Sequence, residues 1–265
     1  MAIQKTAVFA GAGTAQPAIR NIDRNDLIDV LRKGRDDFLA YPSHLVLLAV
    51  IYPVVGVILA RLTFGYDILP LLFPIISGFA LIGPLAAVGL YEMSKHREKG
   101  GKVSWRVAFD PFRSASIFSI LALGLLQLVI YFAWMTAALG IYRMTFGSAV
   151  PESIPNFIYD VFTTGAGWTL IIVGCSVGFL FAAAVLTISA VSFPMLVDDR
   201  EVSAMEAIQT SVRAIMANPM TMTAWGFIVA VLLAIGTLPI FVGLAVIMPI
   251  LGHATWHLYR KVVKF

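Results

Sequence analysis

The chain has 265 residues, 59% of them hydrophobic and only 13% charged, with a mean hydropathy of +0.87 and a net charge of +4. Soluble domains are about a quarter charged, so this chain cannot cover a water-facing globule, and a bilayer is its expected solvent. The positive balance reads as charge flanking membrane spans rather than a nucleic-acid surface. The single cysteine, Cys175, excludes an intrachain disulfide or a cysteine-rich metal site and is expected as a small buried core residue.

Residues 1–20 are small and Ala/Gly-rich, and are expected as a flexible cytoplasmic tail. Over 21–41, Leu27, Ile28, Leu31, Phe38 and Leu39 recur at helical spacing. Arg24, Asp29, Arg32, Lys33, Asp36 and Asp37 take the opposite face. This predicts an amphipathic helix, either in the headgroup layer with its basic residues toward anionic lipid or packed on the protein's own loops. Everything from 21 to 265 then forms one transmembrane domain.

Its first span is expected at about 43–64 and its second at 68–92, where Pro84 removes a backbone hydrogen bond and predicts a kink. Gly78, Gly83 and Gly89 permit close helix approach there. A basic loop, 93–113, follows, with Trp105, Ala108, Phe109 and Phe112 as a short apolar stripe. The third span covers 111–142, and 143–160 forms an outer loop with room for a short helix. The fourth covers 165–195, with a Gly174/Gly178 pair suited to helix packing and Pro194 before its exit. In 198–218, Ser203 and Glu206 fit a capping box, and Val202, Met205, Ile208, Val212 and Ile215 trace one face of a second amphipathic helix.

Residues 214–252 form an uncharged run of 39. At ~1.5 Å per residue one helix would be about 58 Å long, roughly twice the hydrocarbon thickness, so the run must fold back. Gly236–Pro239 is the only good turn, which gives spans at 219–236 and 238–257. In the final stretch, Trp256 and Tyr259 stand where a membrane helix meets water, and Arg260, Lys261 and Lys264 mark the cytoplasmic side.

Lysine and arginine fall as six in 1–43, six in 93–113, two in 198–218 and three after 257, leaving Arg61 and Arg143 for the other side. The expected fold is therefore an all-α polytopic membrane protein with six transmembrane helices, cytoplasmic amphipathic helices, and both termini inside. A threefold repeat of hairpins is suggested by Tyr41-Pro42, Asp110-Pro111 and Asn218-Pro219, and by Pro84, Pro194 and Pro249 in the second span of each hairpin.

The sharpest candidates for chemistry are His253 and His257, one helical turn apart. Two such imidazoles can ligate a metal with a carboxylate such as Glu92, Asp198 or Asp199. Their plainer use, as interfacial hydrogen-bonding residues, is favoured because the sequence fixes no third ligand. A haem would need axial ligands on facing spans, for which His44 and His96 lie at the right level. Glu92 is expected to pair with Lys95 or His96. Gln127, the one strongly polar residue deep in a span, is expected to bond across to a neighbouring helix. No charge lies near a midplane, which argues against a proton relay. Nucleotide-binding and hydrolase motifs are missing from the sequence.

SGFALIGPLAAVGLYEMSKHREKG (77–100), SFPMLVDD (192–199), AIQTSVRAIMANPMTM (207–222) and GLAVIMPILGHATWHLYRKV (243–262) resemble the bacterial predicted integral membrane proteins grouped as domain of unknown function 2189. The resemblance covers about residues 25–263, and GHATWHLYR is its most specific part. It implies a six-span protein of the bacterial inner membrane with no settled activity. Relatives are sometimes labelled cytochrome c oxidase subunit I, which resembles a twelve-span bundle needing six histidine ligands; four histidines on six spans cannot supply them. The expected function is a non-enzymatic accessory, assembly or scaffold component of a membrane complex such as a respiratory oxidase. The alternatives are a small-solute or lipid permease, or a metal or haem protein using His253 and His257. The sequence leaves the oligomeric state open.

Overall fold

The structure is a computed structural model that describes residues 17–40, 53, 56–57, 60, 69–102, 104–148, 151, 153–198, 201–239 and 243–264. The expected first span lies almost wholly outside the described residues, as do His44 and Asp199. The rest is all-α apart from one short strand pair. In chain order come β1 (Ala18–Ile19), α1 (Arg24–Ala40), α2 (Leu72–Leu81), α3 (Gly83–Ala86) and α4 (Val88–Glu98). A 3₁₀ helix follows (Trp105–Arg113), then α5 (Ile117–Phe146), α6 (Ile154–Thr163), α7 (Gly165–Ser189) and α8 (Ser192–Asp198). The chain ends with α9 (Ala204–Ala217), α10 (Pro219–Thr237), α11 (Leu244–Val262) and β2 (Val263–Lys264).

Local chemistry explains most boundaries. Pro84 sits in the first turn of α3, where its missing N–H costs nothing, and it divides the expected second span into α2, α3 and α4. Ser203 and Glu206 form the capping box that opens α9: the Ser203 N–H donates to the Glu206 carboxylate at 2.9 Å and the Glu206 N–H to Ser203 Oγ at 3.3 Å. Pro219 starts α10 after Asn218. A break at Ala190–Val191 separates α7 from α8 just before Pro194. Pro249 lies inside an unbroken α11. The outer loop does carry a helix, α6, whose Ser153 cap accepts from the Asn156 N–H.

Three helical segments are long and apolar enough to cross a membrane: 117–146, 165–198 and 219–237. α5 alone is 30 residues, about 45 Å, which exceeds a hydrocarbon core of about 30 Å. Their outer faces are exposed, as at Phe118, Leu125, Phe132, Phe179, Leu180 and Phe227. Lipid is the natural solvent for such faces. That also explains Cys175, which is exposed on α7 rather than buried in the core as expected.

Against these helices stands a dense polar end built around α11. Ala254, Trp256, Leu258, Tyr259 and Val262 are all buried, enclosed by α1, α4, α8 and α10. α1 runs along α11 at close quarters: a Cβ on Gly34 would lie 2.6 Å from the Ile250 carbonyl oxygen and 2.7 Å from the Ala254 nitrogen. The buried row of α1 is therefore Leu27, Val30, Gly34 and Asp37, while Ile28 and Leu39, expected on the apolar face, are exposed. The approach through Gly34 sets this rotation, and α1 docks on a helix, not on loops.

β1 pairs antiparallel with β2, Ala18 opposite Lys264. The Ile22 N–H donates to Asn218 Oδ1 at 2.8 Å, and Asn218 Nδ2 donates to the Arg20 carbonyl. Residues 18–20, expected in the flexible tail, are thus held against the chain's other end. Of the glycines expected at close contacts, Gly78 abuts Tyr131 and Trp134 of α5, and Gly89 abuts Ala108. Gly83 meets open space.

Candidate functional site

Among the described residues the polar end gathers a concentrated cluster around Asp37, a residue expected on the solvent-facing side of α1. Asp37 is buried in the row of α1 that faces α11. Its Oδ2 accepts from Ser94 Oγ at 2.6 Å and from His257 Nε2 at 2.9 Å; its Oδ1 accepts from Arg97. Ser94 and Arg97 come from α4 and His257 from α11, so a single carboxylate ties three helices together. Burial opposes the charge, but the hydrogen bonds from His257 and Ser94 outweigh it and hold the Asp37 carboxyl below the usual carboxylate range.

Ser94 Oγ also lies 2.6 Å from His253 Nδ1. A hydroxyl has one proton, and an ionised carboxylate can only accept. Ser94 therefore gives its proton to Asp37, and donor balance assigns a proton to His253 Nδ1. His253 is buried, and its Nε2 has no hydrogen-bond partner among the described residues. Ser94, His253 and Asp37 share the composition of a hydrolytic triad but not its wiring. In a triad the histidine bridges the serine and the acid and takes the serine's proton. Here the serine is the bridge, its proton points at the acid, and it is buried. The arrangement fastens three helices to one another.

The other expected site residues are engaged around this knot. Glu92 pairs with Lys95 at 3.8 Å, as its position suggests. Buried Lys95 also donates to the Val197 and Asp198 carbonyls at 2.6 and 3.3 Å. An ammonium there satisfies the exposed carbonyls at the C-terminus of α8. Asp198 accepts from Tyr259 at 2.9 Å and from Arg260 at 3.1 Å. Trp256, expected at a lipid–water boundary, is buried; its indole donates to Glu98 Oε2 at 3.1 Å. The dense ring of helices around α11 leaves it no lipid to face. Lys261 bridges to Asp26 at 2.6 Å and Asp29 at 2.9 Å, and its hydrogen bonds lower both carboxyls while they raise its own ammonium.

For a metal, the expected donors converge differently. His253 Nδ1 is turned to Ser94 and His257 Nε2 to Asp37, while Glu92 and Asp198 serve the contacts just described. Among the described residues no group of three His, Cys, Asp or Glu is placed to hold a metal ion. For haem, His96 ends on α4 with its ring where a Cβ on Gly101 would fall. Gln127 is wholly buried in α5, and neither amide atom has a hydrogen-bond partner among the described residues, so the expected cross-helix bond is not seen there.

Asp37, Ser94 and Arg97 are the members of this cluster that sequence reasoning did not single out. A signal existed: Asp37 falls three residues after Gly34, ten after Leu27 and seven after Val30, which is one helical stripe.

Taken together, the fold and the long apolar helices define an all-α integral membrane protein. More particularly, residues 72–198 match the family model described as predicted integral membrane protein, domain of unknown function 2189, the family that the sequence resembles. The match takes in 77–100 and most of 192–199, and stops short of the resembling stretches 207–222 and 243–262. No curated protein and no solved structure matches the chain.

Proposed function

We propose that the chain is a non-enzymatic accessory or scaffold component of the bacterial cytoplasmic membrane, crossing it six times with both termini inside. The observation that carries this reading is the wiring of the Asp37 cluster. Its donors and acceptors join α1, α4 and α11 to one another, and its one hydroxyl is buried with its proton committed to a carboxylate. Beyond that knot, the protein offers broad apolar helix faces suited to lipid and to other membrane helices. Native membranes cross-linked before extraction in mild detergent test the reading. A defined membrane complex should co-purify with the chain in fixed stoichiometry. A clean monomer, cross-linked only to itself, would contradict it.

A second reading, a small-solute or lipid permease, is favoured by two observations. The segment 72–98 is broken twice, around Ile82 and Ala87, and Gln127 is a buried amide inside a long apolar helix. Discontinuous helices and isolated polar groups are what transporters use near the midplane. Replacing Gln127 with Leu separates the readings. Uptake by reconstituted vesicles should fall if the amide serves a solute, and recovery of the co-purifying complex should be unchanged if it does not.

A further inference from the structure

The 3₁₀ helix Trp105–Arg113 runs for nine residues, although such helices seldom exceed three or four. Its side chains repeat every three residues, so they stack in rows along its length. One row, Ala108 and Pro111, is buried, with Ala108 packed against Gly89 of α4. The next row is Arg106, Phe109 and Phe112, and all three are exposed. Phe109 is 45% and Phe112 56% exposed, with their ring centroids 6.3 Å apart. The seating of Ala108 on Gly89 fixes the rotation, so the two phenyl rings cannot turn inward.

Three features say what covers this row. The helix leads within four residues into α5, a segment long enough to cross a bilayer, whose first large outward residue, Phe118, is 80% exposed. The phenyl row is therefore continuous with a face that lipid covers. Lys102, Arg106 and Arg113 are exposed around it. With Asp110 as the one acidic residue between 102 and 113, the segment carries two net positive charges. Aromatic rings beneath a ring of cations match the layer where acyl chains meet phosphates.

We propose that this 3₁₀ helix is an anchor for anionic phospholipid, with Phe109 and Phe112 sunk below the phosphates and Lys102, Arg106 and Arg113 facing them. The site is distinct from the Asp37 cluster, and the inference holds whether or not the chain serves a larger complex.

The test uses full-length protein carrying Cys175→Ser, reconstituted into vesicles of phosphatidylcholine and phosphatidylglycerol. A nitroxide attached through Phe112→Cys should collide several-fold more with oxygen than with a water-soluble nickel chelate, relative to a label at exposed Lys99→Cys. Equal accessibility of the two labels would overturn the proposal, as would a label at position 112 shielded from both agents, which would indicate protein cover. Native mass spectrometry of the same vesicles should show phosphatidylglycerol retained several-fold over phosphatidylcholine. Arg106→Gln with Arg113→Gln should bring that ratio close to one, and raised salt should lower it for the unaltered protein because screening weakens phosphate attraction. A ratio near one at the outset, or one indifferent to both salt and the arginines, would overturn headgroup recognition.

Discussion

A buried carboxylate is tolerated only when its charge is met, and Asp37 is met by donors from two other helices. Removing the charged member of such a group typically costs about 3–5 kcal/mol, whereas losing one hydrogen bond to a charged group costs about 1.5–3 kcal/mol. Asp37→Asn is therefore expected to lower the thermal midpoint in detergent more than Ser94→Ala does; the reverse order would mean that Ser94, not Asp37, is the hub. The same groups set the pH response. Asp37, Asp26 and Asp29 all have carboxyls held below their ordinary values, so their contribution is complete above about pH 4 and is lost as pH falls further. Lys261 is held above its ordinary value. Its contribution is complete below about pH 10.4 and is lost as pH rises beyond that. Midpoints measured across pH should fall below the first limit and above the second, and Asp37→Asn should flatten the fall on the acid side. An acid limb unchanged by that substitution would assign it to other carboxylates.

At the scale of elements, α1 is positioned by one glycine. On an exposed helix Gly→Ala stabilises by roughly 0.5–1 kcal/mol. At Gly34 the new methyl would meet backbone atoms of Ile250 and Ala254, which cannot move aside. Gly34→Ala should therefore destabilise, by about 1–3 kcal/mol as in other overpacked sites, and should free residues 17–40 for proteolysis. A neutral or stabilising effect would show that α1 is not pressed on α11. Helix starts were legible in the sequence because they depend on neighbours within one turn, as with Ser203/Glu206 and Pro219. The site was only half legible. His253 and His257 announced themselves by spacing, but their partners lie 159 and 220 residues away in the chain. Which face of α1 turns inward depends on a glycine contact, so the stripe Leu27, Val30, Gly34 and Asp37 is legible only when the glycine is counted with the apolar residues. Trp256 and Tyr259 misled for a related reason: their boundary chemistry suits a membrane interface and equally suits hydrogen bonding to acidic side chains of neighbouring helices.

For the whole molecule, polarity is the governing feature. One end gathers α1, the outer turns of α4, the 3₁₀ helix, α9 and the basic terminus of α11, and β1–β2 joins the two ends of the described chain there. The opposite end of α5 carries Arg143 and the aromatic group of Tyr142, Phe146 and Phe157, which seats α6. Among the described residues, a bilayer placed across α5, α7 and α10 would then hold nearly every cation on a single side. The direct check is cysteine accessibility in intact cells, in a Cys175→Ser background. Single cysteines at Lys99, Lys264 and Ser148 would each be exposed to a membrane-impermeant maleimide from outside. Labelling at position 148 alone, with 99 and 264 reacting only after the membrane is opened, is the predicted result; labelling of 99 or 264 from outside would contradict it.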